Sequence, residues 1–212
     1  MFKIKPKAVK GLIGRHYTGE KAAQYERRSK TERWKFEHET LMDMLARLPA
    51  EERAQIADIP VGTNRFFEEL ENDVSVKTVY GMDYSVDMLM QSLEKPSDKY
   101  LYARHDIVAS APAITADTVI CFRFLNLFPF HDIEKILRNL ARTARVNLIF
   151  TVRLLEDPQE HGMVLEDKIH LHSTERFSEL LGNCGLEVKE ARGFDDSKQG
   201  DYFVMHTVKA KT

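Results

Sequence analysis

Short apolar runs along this chain alternate with longer stretches in which apolar residues recur every third or fourth position. Five of the short runs, Ala54–Asp58, Lys77–Met82, Tyr100–Arg104, Asp117–Phe122 and Val146–Val152, read as strands. Between them, Arg65–Leu70, Asp87–Leu93 and the segment after Asp132 read as helices. In that last segment Ile133, Ile136, Leu137 and Leu140 form a stripe at i, i+3, i+4 and i+7, with Asp132 as the expected N-cap. Ahead of the first strand, Trp34, Leu41, Leu45 and Leu48 lie near one helical face that Pro49 ends. Beyond the fifth strand, Ser173 or Thr174 starts a helix carrying Phe177, Leu180 and Leu181. Cys184–Val188 then enters a sixth strand and Asp201–Val208 forms a seventh. Strands alternating with helices predict a mostly parallel sheet, and the near-continuous apolar run at Asp117–Phe122 suits its middle. The closing pair of strands, joined by a short polar loop, predicts a hairpin, so the last strand is expected to run antiparallel.

Two strand–turn–helix corners stand out. The first is Ile56-Ala57-Asp58-Ile59-Pro60-Val61-Gly62-Thr63-Asn64-Arg65, an apolar run ending in a carboxylate and a Pro/Gly turn. The second is Val79-Tyr80-Gly81-Met82-Asp83-Tyr84-Ser85. Open α/β sheets bind ligands at such corners, and an acid at the second strand tip suits a ribose diol. A dinucleotide turn would read G-x-G-x-x-G and present backbone N–H groups to a pyrophosphate. Here Pro60 and Asn64 occupy positions where glycines are expected, and Asp58 places negative charge where phosphates would lie. An acid there suits a cationic ligand better.

With the motifs downstream, the first corner resembles motif I of class I S-adenosylmethionine-dependent methyltransferases, in a variant reading D-x-P-x-G-T-x-R. The segment Gly81-Met82-Asp83-Tyr84-Ser85-Val86-Asp87-Met88-Leu89 is similar to that family's G-x-D-x-S-x-x-M-L motif. The resemblance spans roughly Tyr25 to Val208. It implies a Rossmann-like three-layer α/β sandwich with a seven-stranded, mostly parallel sheet, and S-adenosylmethionine as cofactor. It further implies that Asp83 accepts from the ribose hydroxyls while Tyr84 and Met88 pack near ribose and adenine. Gly62 and the backbone around Asp58 and Pro60 would line the methionine portion, with Thr63 and Arg65 fixing the loop. His105, Asp106 and Ile107 follow the third strand and match the adenine-flanking positions. Phe122 and Arg123 follow the fourth, at the floor where cofactor and acceptor meet. Tyr25 and Arg33 are the nearest matches to an aromatic and an arginine that close the site from the N-terminal side. Arg123 in its apolar setting needs a partner; a cofactor carboxylate, an anionic acceptor and a structural acid are the candidates. His131 is the candidate general base, with His16 a second.

The overall charge of −2 is not that of a nucleic-acid-binding surface. Arg123-Phe124-Leu125-Asn126 also departs from the N-P-P-Tyr-like signature of many base methyltransferases, so DNA is not an expected partner. The charge is uneven, however: residues 1–35 hold 11 Lys/Arg against Glu20, Glu26 and Glu32. Residues 1–48 are therefore expected to form a basic leader and helix contributing to a lid, and 49–212 the α/β domain. A solvated leader and a lid attracting an anionic acceptor both fit this pattern. Cys121 and Cys184 form no C-x-x-C motif, and His161, His170 and His172 lack an evident further ligand, so no metal is expected. No apolar run approaches a membrane span, and Met1–Gly14 lacks the features of a signal peptide, so a cytoplasmic enzyme is expected. The acceptor is expected to be a small molecule or a glycan- or lipid-linked group. An accessory protein that keeps the fold without the chemistry is the alternative, and a nicotinamide-dependent oxidoreductase a more distant one.

Overall fold

The computed structural model describes residues 31–155, 170–194 and 201–210. Its strands in chain order are β1 (Gln55–Asp58), β2 (Thr78–Asp83), β3 (Tyr100–Arg104), β4 (Ala116–Cys121), β5 (Ala144–Leu155), β6 (His172–Ser173), β7 (Leu186–Phe194) and β8 (Asp201–Lys209). They form one sheet in the order β3-β2-β1-β4-β5-β8-β7, with the two-residue β6 pairing β5 off that path. The pairings among β1 to β5 are parallel, whereas β8 runs antiparallel to both β5 and β7. The expected seven strands and antiparallel last strand are present, and β6 makes the eighth. β5 is longer than its apolar run suggested, because β8 pairs along it from Asn147 to Leu154.

Alternation along the strands builds the two cores. Ile56, Val79, Ile120 and Ile149 face α1 (Glu32–Ala46), whose Leu41, Met44 and Leu45 cover that side together with Leu70 of α2 (Phe67–Asn72). Their neighbours Ala57, Val119, Cys121, Leu148 and Phe150 face the other way. There they meet Ile133, Ile136, Leu137 and Leu140 of α4 (Phe130–Thr143), and Phe177, Leu180 and Leu181 of α5 (Thr174–Asn183). The remaining helix, α3 (Val86–Ser92), follows β2. Each apolar side chain of the α4 stripe is fully buried, worth about 1.5–3 kcal/mol apiece.

The caps differ in detail from the sequence reading. α4 begins two residues before Asp132, with Pro129 at its N-cap, so Asp132 lies in the first turn. Proline there leaves no side-chain cap, and an acid in the first turn still complements the helix dipole. Ser173 holds the N-cap position of α5 without a side-chain bond, while Thr174 Oγ1 donates to the Leu155 carbonyl at 3.0 Å.

Candidate functional site

The strand order changes direction between β1 and β4, and ligands of open α/β sheets bind beyond the carboxyl ends of strands at such a point. Beyond β1, Ile59 N–H still pairs with the Ile120 carbonyl at 2.9 Å. Two residues later Val61 N–H has crossed to the Met82 carbonyl at 2.8 Å. The Ile59–Pro60 peptide between them is cis. Gly62 and Asn64 then adopt positive φ of 59° and 56°. Glycine takes that conformation without strain; asparagine tolerates it, and here Asn64 Nδ2 also donates to the Tyr102 hydroxyl at 2.6 Å. The turn's carbonyls are drawn backwards. Ser92 Oγ donates to Gly62 O at 2.8 Å, and Lys95 Nζ reaches Asn64 O at 3.1 Å and Thr63 O at 3.3 Å. What remains is an open face at Gly62, where an added Cβ would meet nothing within 4 Å. Thr63 itself is buried beneath the turn.

The second corner closes onto the first. Asp83 Oδ2 accepts from Gly62 N–H at 3.0 Å and Oδ1 from Ser85 N–H at 2.8 Å. Ser85 Oγ in turn accepts from Met88 N–H at 3.3 Å and caps α3. Burial raises the Asp83 pKa, against the opposing pull of the backbone donors from Ser85, Gly62 and Tyr84. Met88 is buried; Tyr84 is exposed, with the Arg104 guanidinium 4.9 Å from its ring centre.

Asp58, at the tip of β1, is only 2% exposed, and its carboxyl group accepts no hydrogen bond among the described residues. Burial pushes its pKa up to about 8, opposed by the Arg65 charge and reinforced by Asp83. A buried carboxyl group without donors, held protonated by its burial, fits a ligand whose cation or N–H groups would draw out its ionised form.

After β3, His105 N–H bonds to Asp83 O at 3.0 Å and its Nε2 pairs with Ser110 O at 2.8 Å. Asp106 Oδ1 accepts from Val108 N–H at 3.0 Å and caps its own turn, while the Ile107 carbonyl accepts from Asn139 Nδ2 at 2.7 Å. After β4, Phe122 packs edge-on against Phe66 beneath α1. Arg123 takes a positive φ of 55°, its N–H donating to Thr151 Oγ1 at 2.7 Å and its Nε to Glu37 at 2.7 and 3.0 Å. Arg65 Nη1 meets the same carboxylate at 2.7 Å, and Arg33 Nε lies 3.8 Å from it. Of the partners open to Arg123, a structural acid is thus present. His131 lies in the first turn of α4, its side chain 79% exposed and 3.4 Å from Asp132. Tyr25, His16, the leader and residues 156–169 lie outside the described residues. Among the described residues no group of three or more potential ligands could hold a metal, and no helix is long and apolar enough to cross a membrane.

Glu37, Ser92, Lys95 and Tyr102, which hold the two corners and the floor in place, lie outside the sequence motifs. Only Glu37 carried a signal: it stands four residues before Leu41, on the buried face of α1.

Residues 57–150, from β1 into β5, match a family model described as a methyltransferase domain. No curated protein matches the sequence. Similar solved structures include magnesium protoporphyrin IX methyltransferase from Synechocystis PCC 6803 with bound S-adenosylhomocysteine. It has 14% identity and a TM-score of 0.70, over 92% of this chain and 97% of that one. A Haloferax volcanii methyltransferase solved with the Trm112 activator has 16% identity and a TM-score of 0.67, over 90% and 93%. Human N-acetylserotonin methyltransferase with S-adenosylmethionine has 12% identity and a TM-score of 0.65, over 92% and 58%.

Proposed function

We propose that this chain is an S-adenosylmethionine-dependent methyltransferase, a reading that the methyltransferase-domain match over residues 57–150 and the fold support, and that it acts on a small-molecule acceptor or a glycan- or lipid-linked one. The observation that carries the cofactor assignment is the joining of the two corners. One carboxylate, Asp83, holds the turn at Gly62 and the start of α3 at Ser85, and so stands as an acceptor at the strand tip where a ligand diol would lie. Two of the similar folds are named for small-molecule acceptors, which supports the acceptor class.

The cofactor supplies an electrophilic methyl on a sulfonium whose leaving group is already good. The chain's own residues therefore have mainly to align and enclose. In this reading Asp83 orients the ribose and Met88 and Ile107 pack beside the base. The open face at Gly62 admits the methionine portion, and Asp58 meets its positive end. Arg65, Thr63 and Pro60 fix the loop, while Phe122 and Arg123 form the floor toward the acceptor. Tyr84, His105 and Asp106 border the adenosine side, and Tyr25 and Arg33 the N-terminal side. His131, near the carboxyl edge of the sheet, takes a proton where the acceptor must lose one. In the same reading residues 1–48, the basic leader and helix, contribute part of the lid, and residues 49–212 form the transfer domain.

Calorimetric titration with S-adenosylmethionine, S-adenosylhomocysteine and NAD tests the cofactor, and methyl-donor consumption over an acceptor panel tests the chemistry. Micromolar binding of the adenosyl ligands, with turnover on a small molecule, is the expected result. Turnover only on protein or nucleic acid would overturn the acceptor class.

A further inference from the structure

We infer that Glu37 is a positioning residue for this site, a role that rests on the methyltransferase reading above. Glu37 is completely buried and belongs to α1, outside both corner motifs. Its Oε2 accepts from Arg65 Nη1 at 2.7 Å and from Arg123 Nε at 2.7 Å, and Oε1 accepts from Arg123 Nε at 3.0 Å. Arg65 belongs to the turn after β1 and Arg123 to the turn after β4. These are the two neighbouring strands between which the sheet order changes direction. One carboxylate thus bridges the two sides of the crevice.

The bridge does more than dock the helix. Leu41, Met44 and Leu45 already seat α1 in an apolar cluster with Ile56, Phe66, Val79 and Ile120. What Glu37 adds is a direct ionic tie between the two turns. Both arginines are constrained from behind. The Arg65 guanidinium packs 4.4 Å from the Phe66 ring centre and 5.5 Å from those of Trp34 and Phe122. The Arg123 backbone is pinned at positive φ through Thr151. A shift of the Glu37 carboxylate is therefore passed to Gly62, three residues before Arg65, and to the floor at Arg123. Two guanidinium groups sharing a carboxylate in a poorly solvated setting also depend on its charge, since a partner removed there leaves charge uncompensated. Nothing in this arrangement requires Glu37 to touch cofactor or acceptor.

Glu37→Gln keeps the volume and removes the charge; Leu41→Ala loosens α1 without touching the bridge and serves as the control. Amide exchange is followed at Gly62 and Asn64 in one turn, Arg123 in the other, and Val119 and Leu148 in the sheet. In Glu37→Gln we expect exchange at both turns to accelerate at least ten-fold together, with the sheet amides still protected and S-adenosylmethionine affinity at least ten-fold lower. Leu41→Ala is expected to lose comparable thermal stability while both turns and affinity stay within three-fold of the parent chain. Should Glu37→Gln fail to fold, Glu37→Asp keeps the charge and shortens the reach, and the same amides are read. Turns that respond singly or not at all, or that respond equally to Leu41→Ala, overturn the positioning role. The exchange measurement needs no ligand. Failure of the parent chain to bind S-adenosylmethionine would thus count against the cofactor reading while exchange still decides the role of Glu37.

Discussion

Gly62 donates its backbone N–H to the Asp83 carboxylate across 3.0 Å, so the turn after β1 and the tip of β2 are one unit. Asp83→Ala removes that bond and the one from Ser85, and with them the acceptor pair for a ribose diol. S-adenosylmethionine binding should weaken by about 1–3 kcal/mol, as for other hydrogen bonds to charged groups. Calorimetric titration beside a thermal melt measures this, and unchanged affinity would remove Asp83 from the site.

Asp58 should make both stability and binding depend on pH. Its folded pKa, about 8, lies above the ordinary 3.8, so between those values the folded chain holds a proton that the unfolded chain releases. Its contribution to stability is complete below about pH 4 and falls as pH rises toward 8. His172 acts in the opposite sense: burial lowers its pKa to about 4, so its contribution is lost as pH falls through that value. A cation beside Asp58 favours the carboxylate, so S-adenosylmethionine affinity should rise with pH through neutrality and binding should release a proton. Calorimetry in two buffers of different ionisation enthalpy reads that proton, and Asp58→Asn should abolish it.

Gly62→Ala should separate backbone strain from site occupation. At φ 59° a Cβ costs roughly 1–2 kcal/mol, and here it meets no protein atom. Gly185, at φ 69° between α5 and β7, is equally open but leads into the amino end of the edge strand β7, away from the turn after β1. Alanine at either position should lower stability by a similar amount, and only at Gly62 should it also weaken S-adenosylmethionine binding. Equal affinities for the two variants would place the cofactor elsewhere.

His131→Ala should lower turnover by roughly 10²-fold on an acceptor that must lose its proton, with cofactor affinity unchanged. Its exposed side chain separates this effect from a loss of fold, because surface changes of this kind stay within about 0.5 kcal/mol. Unchanged turnover of such an acceptor by the variant would remove His131 from the chemistry.

Much of the fold was legible because its signals are local. Alternation in β1 to β5, the stripe at Ile133, Ile136, Leu137 and Leu140, and the acids ending β1 and β2 need only a few neighbouring residues to be read. Even the antiparallel end followed from a hairpin's short loop. Cap details did not, since Pro129 and Asp132 compete within one turn and packing against the sheet decides where α4 starts.

The sequence thus determined the order of elements, the two corners and the chemical character of Asp58 and Asp83. Tertiary structure alone decided which distant groups complete them. Glu37 meets Arg123 from 86 residues away, Ser92 takes the Gly62 carbonyl from 30, and Asn64 finds Tyr102 across 38. Such pairings follow from the order of strands in the sheet and the seating of α1. They arise when the chain closes its cores, and no local pattern of polar and apolar residues encodes which side chains then meet.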